Sequence, residues 1–368
     1  MDALQFYILD YDFSLLGIID TYKSTIWTER FYVSGDFELY VPNTTNNYDL
    51  LTLPMDGKNR YVLRADDTTK LGILTQIKYT HDADSGDMII ASGQTDDYIL
   101  HSRVFFEQVT YIGNMEYAIR NMIKNALIDE AFGYTNRELS NMSLGAWIGL
   151  TGDINAQYLG QYLDEELEKL TKANGFGYRI DFDYATKWFT FNLLKSTDRS
   201  LDQNVNDPVI FSAALDNLSG SEYVQSIFPN LAYAIGNGSG VDRYVAEYTP
   251  SANSPSGLNR KEHYVDAKET SNNGEALNEL TYKSVLTQQA KKSLSIQRSG
   301  SEAVTGNVIA NSTFKLGVDY FLGDIVQIIV MVGSNRQVQK SLKQRVIEIV
   351  ECYDENGYSC LPTFETVS

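Results

Sequence analysis

Short runs of alternating apolar and polar residues fill roughly the first hundred positions of the chain. The clearest run is Ser24 to Pro42, in which Ser34-Gly35-Asp36 separates two candidate strands. The second strand places three apolar residues on one side, namely Phe37, Leu39 and Val41. Pro42 ends it, because proline removes a backbone donor. The stretch therefore predicts a half-buried β-hairpin that a sheet or barrel must cover.

The segments that flank this hairpin have the same character. Further strands are predicted at residues 4–9, 15–22, 60–64, 72–81 and 88–93, with a loop at 43–47 and a turn at 82–87. Several short strands at this spacing, with no helix between them, are typical of an antiparallel barrel or sandwich.

The apolar spacing becomes helical after Phe106. Asn114 is a candidate N-cap, and apolar residues then fall on one helical face at positions 115, 118, 119, 122, 123, 126 and 127. A second helix is predicted from Leu159 to Asn174, with Gly175 as its left-handed C-cap. A hairpin follows at 178–193. Helices followed by a strand pair predict a small α+β domain, which Leu201 to Pro208 separates from the rest.

The last third returns to β-structure. Strands are predicted at 221–235 and 244–249 around the loop Gly236 to Gly240, and a polar loop follows at 251–257. Leucines from Leu277 to Leu294 predict one more helix, interrupted at Ser284. Strands are then predicted at 321–330 and 345–353, and Asn356-Gly357 predicts a last hairpin.

Three short motifs resemble the signatures of a known protein family. They are Trp27-Thr-Glu-Arg-Phe-Tyr32 with Gly35-Asp-Phe-Glu-Leu39, Leu258-Asn-Arg-Lys-Glu-His-Tyr-Val-Asp266, and Tyr320-Phe-Leu-Gly-Asp-Ile-Val326. Their order and spacing over nearly the whole chain are similar to those of siphophage minor tail proteins of the tail-tip or baseplate hub family. That family also includes the N-terminal part of tail-associated lysins. It shares its fold with the central hub of contractile-tailed phages.

The resemblance implies an α+β, predominantly β fold with two tube-like antiparallel β-barrel domains and smaller α+β domains. It implies a structural virion protein without enzymatic activity. Three copies would form a hub that caps the tail tube, adapts its sixfold symmetry to a threefold tip, and leaves a channel for the tape measure protein and DNA. The implied partners are the distal tail protein, the tail tube, the tape measure protein, and receptor-binding or spike proteins. The implied location is the distal end of the virion tail, after synthesis and assembly in a bacterial cytoplasm.

The same reasoning divides the chain into four parts. Residues 1–106 are predicted to form the first tube-like barrel and 107–206 an α+β domain. Residues 207–250 with 299–368 are predicted to form the second barrel, and 251–298 an inserted loop and helix region. A turn of similar sequence precedes a strand in each barrel, namely Gly35-Asp36 and Gly323-Asp324.

Composition adds constraints on ligands and environment. The 368 residues include 25 tyrosines, which favour strands and half-wet interfaces, and carry a net charge of −18. Such a charge argues against tightly held nucleic acid, because phosphate binding needs clustered Lys and Arg, although DNA can still pass nearby.

The first residues lack the pattern of a secretory signal, and no apolar run approaches the roughly 20 residues of a membrane span. Cys352 and Cys360 flank a turn, where a three-residue loop would place them opposite each other, and we expect two free thiols.

No catalytic, cofactor-binding or metal-binding residue is predicted. His81, His101 and His263 are far apart in sequence, and no nucleophile elbow or metal-spaced cluster accompanies them. Gly236-Asn-Gly-Ser-Gly240 has the look of a phosphate loop but precedes a strand, so a hairpin turn is favoured. Asp82, Asp84 and Asp87 recur with calcium-loop spacing, yet Gly93 stands where the closing Glu belongs.

Two alternative functions remain open at this point. The chain is a carbohydrate-binding adhesin if exposed indoles serve as sugar platforms, with Trp27, Trp147 and Trp188 as candidates. It is a cell-wall hydrolase if paired carboxylates face each other across a cleft, with Asp181 and Asp183 or the run Asp164-Glu165-Glu166 as candidates. Ordinary solvated faces explain both acidic groups, and Trp27 and Trp188 lie on alternating strands that favour a core position.

Overall fold

The computed structural model describes residues 4–82, 86–129, 134–267, 279–299, 302–309 and 313–367. The first part of the chain forms β1 (Phe6–Leu9), β2 (Leu15–Ile19), β3 (Ser24–Arg30), β4 (Asp36–Pro42), α1 (Thr45–Leu51), β5 (Tyr61–Arg64), β6 (Leu71–Asp82) and β7 (Gly86–Thr95). The middle part forms β8 (Val109–Asn114), α2 (Met115–Ile123), β9 (Met142–Leu144), β10 (Asp153–Tyr158), α3 (Leu163–Asn174), β11 (Phe176–Asp183) and β12 (Trp188–Lys195).

The remainder of the chain is again mostly strands. It forms β13 (Ile210–Ser212), β14 (Leu218–Gln225), β15 (Leu231–Ile235), β16 (Val245–Tyr248), β17 (Glu262–Asp266), α4 (Glu279–Ser299), β18 (Glu302–Val308), β19 (Ile325–Val332), β20 (Val338–Asp354) and β21 (Gly357–Thr366). The predicted α+β, predominantly β fold class is confirmed.

One large sheet unites the two ends of the chain. Its described strands follow the order β13-β19-β20-β3-β4-β7-β6-β5-β1-β2, with β21 also paired to β20. The N-terminal and C-terminal strands meet where β3 pairs antiparallel with β20, in a register that sets Thr28 opposite Val350. Smaller sheets pair β8 with β10, β9 with β12 and β11, β14 with β18, and β15 with β16 and β17.

Phe31 closes the joint between the two ends of the chain. Its N–H donates to Ile347 O at 2.9 Å, and its carbonyl accepts the N–H of Tyr178 at 3.3 Å. A Cβ added at Gly177 would lie 2.5 Å from the Phe31 ring, and one added at Gly323 would lie 2.2 Å from it. Glycine is therefore required at both positions, because the backbone approaches the ring too closely for any side chain. The first and last family motifs meet at this point.

Each sheet face buries its own apolar cluster. One face of the N-terminal strands packs against α1 through Trp27, Phe37 and Leu39. The other face packs against α2, α3 and the β11–β12 hairpin through Leu63 and Leu71. A third cluster joins β13, β19 and β20, and a fourth packs α4 against β15 and β16. The middle part of the chain is thus a covering layer for the first sheet rather than a detached unit.

Several expected elements are confirmed in detail. The opening hairpin pairs β3 with β4 and sets Trp27 opposite Phe37. Asn114 caps α2, because its Oδ1 accepts the N–H of Tyr117 at 3.0 Å. Gly175 ends α3 in the left-handed region with φ of 71°. The Gly236–Gly240 segment is the connection between antiparallel strands β15 and β16, as expected.

Other expectations were wrong, were met in part, or fall on residues that the structure does not describe. The predicted loop at 43–47 contains the start of α1, because the Thr44 hydroxyl accepts the N–H of Asn47 and caps a helix. Helix α3 begins at Leu163 rather than 159, and α4 runs without a break through Ser284. Regular α-helical bonding in α2 stops at Ile123, and a π-helical turn continues to 128. The turn predicted at 82–87 lies partly outside the described residues.

The two cysteines do not lie opposite each other. The last hairpin pairs Asp354 with Gly357, so its turn has two residues rather than three. Cys352 therefore faces Ser359, and the two thiols are offset by one position. Both thiols are free. Burial raises the pKa of the Cys360 thiol to about 11.

Candidate functional site

The three histidines have three unrelated sets of contacts. His101 Nδ1 lies 2.9 Å from Asp164 Oδ2, and its ring stacks between Tyr98 and Tyr162. His263 Nε2 lies 2.8 Å from Ser293 Oγ, and His81 contacts Asp87. In the part of the chain that the structure describes, no cluster of three or more His, Cys, Asp or Glu residues could hold a metal ion.

The acidic candidates on β11 serve local structure. Asp181 accepts from Arg179 Nε and Asn192 Nδ2, both at 2.7 Å. Asp183 Oδ1 accepts the N–H of Ala185 at 2.9 Å in the hairpin turn, and bonds with Thr186 lower the pKa of its carboxyl. Adjacent residues of a strand point to opposite faces, but these two are separated by one residue and share a face. Both carboxylates are engaged along a single strand rather than across a cleft.

The acidic run at the start of α3 is not uniformly solvated, contrary to expectation. Glu166 is buried and pairs with Lys169, three residues further along the helix. Asp164 is partly buried against His101, and its Oδ1 has no hydrogen-bond partner. Negative side chains in the first turn interact favourably with the helix dipole and stabilise the helix, which explains their presence without any catalytic role.

The three tryptophans differ sharply in exposure. Trp27 is buried in the first sheet and stacks on Phe37 with a centroid separation of 5.3 Å. Trp188 is partly exposed, contrary to the expected core position, and its indole N–H donates to Ser143 Oγ at 2.9 Å. Trp147 is 57% exposed. Of the three indoles, Trp147 has the largest surface available to a ligand.

A loop anchored by hydrogen bonds presents Trp147 to solvent. We define the Trp147 loop as residues 145–152. The buried carboxylate of Glu116 accepts the N–H groups of Ile148 at 2.8 Å and Leu150 at 2.7 Å. Arg120 Nη2 donates to Gly145 O at 2.8 Å, and its guanidinium lies 4.7 Å from the Trp147 ring centroid. These hydrogen bonds anchor the loop at Gly145, Ile148 and Leu150, and one cation lies against the indole.

A cavity of about 550 Å³ lies where the large sheet, the β11–β12 hairpin and residues 316–324 meet. Its wall includes apolar groups such as Trp27, together with Asp96 and Asp97 at the end of β7. Burial raises the pKa of Asp97 to about 8, with Asp181 adding repulsion. Burial and repulsion from Asp97 and Asp181 also raise the pKa of Asp96 well above its ordinary value. Sequence reasoning missed this pair; the signal was a doubled Asp directly after an alternating strand.

A buried ionic network beside the cavity was also missed. Arg64 Nη1 lies 2.5 Å from Glu351 Oε2, and Nη2 lies 2.7 Å from Asp66. Lys70 bridges Glu351 at 3.4 Å and Glu29 at 2.6 Å. Burial alone would raise the pKa of Glu351, but Arg64 and Lys70 hold it below its usual range. The network joins β5 to β20, and thus the two ends of the chain.

The described residues contain no helix that is both long and apolar enough to cross a membrane.

The sequence matches one protein family. A family model described as Siphovirus ReqiPepy6 Gp37-like protein matches residues 5–364. None of the curated proteins matches the sequence significantly.

Solved structures with a similar fold include one bacterial tail protein and two prophage tail proteins. A tail protein from Neisseria meningitidis MC58 has 12% identity and a TM-score of 0.58, with 100% of this chain and 97% of that chain covered. The 43 kDa tail protein of prophage MuSo2 from Shewanella oneidensis has 13% identity and a TM-score of 0.56, with coverage of 99% and 98%. Prophage tail protein gp18 from Listeria monocytogenes EGD-e has 11% identity and a TM-score of 0.57, with coverage of 98% and 94%. The fold is therefore that of phage tail proteins, as the motifs implied.

Proposed function

The chain belongs to the Siphovirus ReqiPepy6 Gp37-like family, and from this membership we propose that it is the tail-tip hub of a long-tailed phage or prophage. It is a structural component of the virion and not an enzyme. Three copies form a ring that caps the tail tube and adapts its sixfold symmetry to a threefold tip. The ring encloses a channel for the tape measure protein and later for DNA.

The observation that supports this assembly is the single sheet that runs through both ends of the chain. In the proposal, the strands on either side of the β3–β20 joint belong to two tube-like units of one protomer, and three protomers present six such units. Phe31 and the glycines around it fix how one unit meets the other. A net charge of −18 suits a lumen through which DNA slides without sticking.

The division of the chain is part of the same proposal. Residues 1–106 form the first tube-like barrel, 107–206 the α+β unit, 207–250 with 299–368 the second barrel, and 251–298 an insertion. Strand β15 pairs with both β16 and β17, which ties part of the third segment to the insertion. The α+β unit and the insertion contact the distal tail protein, the tail tube, and the receptor-binding or spike proteins at the tip.

The first experiment is solution mass by light scattering, with negative-stain images of the same peak. The chain has a mass of 41.4 kDa, so three copies have a mass of about 124 kDa. We expect that mass and a threefold ring with a central hole. A chain that stays monomeric alone and also in the presence of the distal tail protein of the same phage would contradict the hub assembly.

The absence of an enzymatic role is tested separately. The engaged positions of Asp181 and Asp183 on one strand support a purely structural role for them. We expect no clearing in zymograms with several bacterial cell walls. Clearing that disappears in Asp181→Asn or Asp183→Asn would instead establish a cell-wall hydrolase.

A specific observation also favours a second candidate function, binding of host carbohydrate. The Trp147 loop holds an exposed indole in a fixed position, and preorganised aromatic groups bind ligands at low entropic cost. The test is a glycan array with purified protein, with Trp147→Ala and the less exposed Trp188→Ala as a matched pair. Binding that is lost only in Trp147→Ala would support the adhesin; absence of binding leaves the hub as the sole proposal.

A further inference from the structure

Asp96 and Asp97 lie at the passage from the large sheet to the α+β unit. They follow β7 directly and begin a 3-10 helical segment, Asp96–Ser102, that packs against β6, β7, β11 and α3. Asp96 is 4% exposed and Asp97 is 8% exposed. Two consecutive buried carboxyls at such a junction are unusual, because a buried charge is costly unless it is paired.

The contacts of the two carboxyls cross the junction. Asp97 Oδ1 accepts the backbone N–H of Ile180 in β11, so this carboxyl holds the α+β unit against the sheet. Asp96 Oδ2 has no hydrogen-bond partner. The indole N–H of Trp27 and the hydroxyl of Tyr178 also lack one, and Trp27 and Asp96 line the same cavity. The junction is thus incompletely satisfied, and the cavity gives water a route towards it.

The charged groups around the pair do not neutralise it. Repulsion comes from Asp181 in β11 and Glu29 in β3, and attraction comes from Arg179. That guanidinium already bonds Asp181 at 2.7 Å, and Lys70 on the cavity wall bonds Glu29 at 2.6 Å. The other charged groups on the cavity wall are Arg30, Asp67, Lys195 and Asp324, and Asp164 and Glu168 act on Tyr178 from α3. Among the described residues, no salt bridge reaches either member of the pair.

We propose that Asp96 and Asp97 form a pH-sensitive latch between the large sheet and the α+β unit, closed while both carboxyls are neutral and loosened as they ionise. A second negative charge beside Asp181, in an incompletely satisfied site, favours separation of β11 from the 3-10 segment. Separation admits water to the carboxylates through the cavity.

The direction of the pH effect follows from proton linkage. Burial raises the pKa of Asp97 to about 8 when the junction is closed. A solvated aspartate has a pKa of about 3.9, so closing the junction takes up a proton between these values. The closed state is therefore most favoured in acid. Its equilibrium constant falls by up to about tenfold per pH unit and per carboxyl as the pH rises from about 4 to about 8.

Hydrogen exchange followed by mass spectrometry on the full chain tests the latch between pH 5 and 9. The readout is the protection factor of amides in β11, corrected for intrinsic exchange, relative to amides in the β20–β21 hairpin. In the wild type we expect relative protection to fall between pH 5 and about 8, by up to about tenfold per pH unit and per carboxyl. A pH-independent ratio in the wild type would overturn the proposal without reference to any variant.

Three substitutions test whether the pH dependence of protection in β11 arises from Asp96 and Asp97. Asp97→Asn keeps an oxygen that can accept the Ile180 N–H and should reduce the slope, and the double variant with Asp96→Asn should abolish it. Asp183→Asn removes an exposed carboxylate from the same strand and should leave the slope unchanged. A double variant with the wild-type slope would refute the assignment to these residues.

Discussion

Replacing Arg64 with methionine should destabilise the protein by about 3 kcal/mol, because it leaves the buried carboxylate of Glu351 without its main countercharge. Arg64 is 2% exposed, and its guanidinium lies between Glu351 and Asp66. Removal of one partner from a buried ion pair typically costs about 3–5 kcal/mol. Methionine fills most of the vacated volume, so the expected loss is chiefly electrostatic.

The contacts that Glu351 keeps in this variant explain why we expect a cost at the lower end of the range of about 3–5 kcal/mol. Glu351 keeps Lys70 at 3.4 Å and the Tyr358 hydroxyl at 3.0 Å, although Lys70 is closer to Glu29 at 2.6 Å. The Asp66 side chain is 42% exposed, so water replaces part of what Arg64 supplies, and its loss of Arg64 costs less than that of Glu351. The double variant with Glu351→Met leaves no orphaned buried charge and should cost less than about 1 kcal/mol.

The assay is urea unfolding followed by tryptophan fluorescence. The chain has 3 tryptophans, so Trp147→Phe with Trp188→Phe leaves Trp27 as the probe. Its ring lies 5.6 Å from the Arg64 guanidinium and reports on this part of the sheet. As a control, Arg243→Met removes an exposed guanidinium and should stay within about 0.5 kcal/mol of the parent. A cost below about 1 kcal/mol for Arg64→Met, or a double variant as unstable as the two single variants combined, would refute the argument.

The network also has a defined pH dependence. Because Arg64 and Lys70 lower the pKa of Glu351 in the folded protein, the pair contributes stability above the unfolded glutamate pKa of about 4.3. That stability is lost as the pH falls through the folded value. The wild type should lose stability more steeply than the double variant when urea midpoints are compared between pH 5 and pH 3.

Two further predictions concern the joint and the thiols. Gly323→Ala adds a Cβ 2.2 Å from the Phe31 ring at φ of 91°, whereas Gly357→Ala meets open space at φ of 105°. Gly323→Ala should therefore cost about 1–3 kcal/mol more in urea unfolding, and equal costs would contradict a steric requirement at the joint. Cys352 should react with Ellman's reagent at pH 8 before the more deeply buried Cys360, whose pKa burial raises to about 11; simultaneous labelling would contradict this.

Periodicity predicted the parts of the fold that depend on local sequence. The opening hairpin, the Asn114 cap and the Gly175 C-cap follow from alternation and backbone preference, and the structure has all three. The helix α1 was missed because its seven residues are too few to show a period, and only the Thr44 cap marks its start. Local signals of this kind carry no information about which distant strand a hairpin meets.

The ionic contacts could not be predicted without the tertiary structure. Arg64 ends an apolar strand, and its countercharge Glu351 is 287 positions away, so the sequence alone favours a solvated arginine. Asp96 and Asp97 look like an ordinary polar end to β7, and burial becomes evident only when β11 covers them. Trp147 was recognised as a candidate, but its exposure depends on the buried Glu116, which appears in the sequence as one more charged residue of α2.

The family motifs acquire a physical explanation from the joint. Phe31 lies in the first motif and Gly323 in the last, and the ring of one fills the space that the other leaves by having no side chain. A residue larger than glycine at 323, or a side chain of different shape at 31, would separate β19 and β20 from β3. The first and last motifs therefore contain residues that fix the meeting of the two chain ends, which is the contact on which the protomer proposed above would depend.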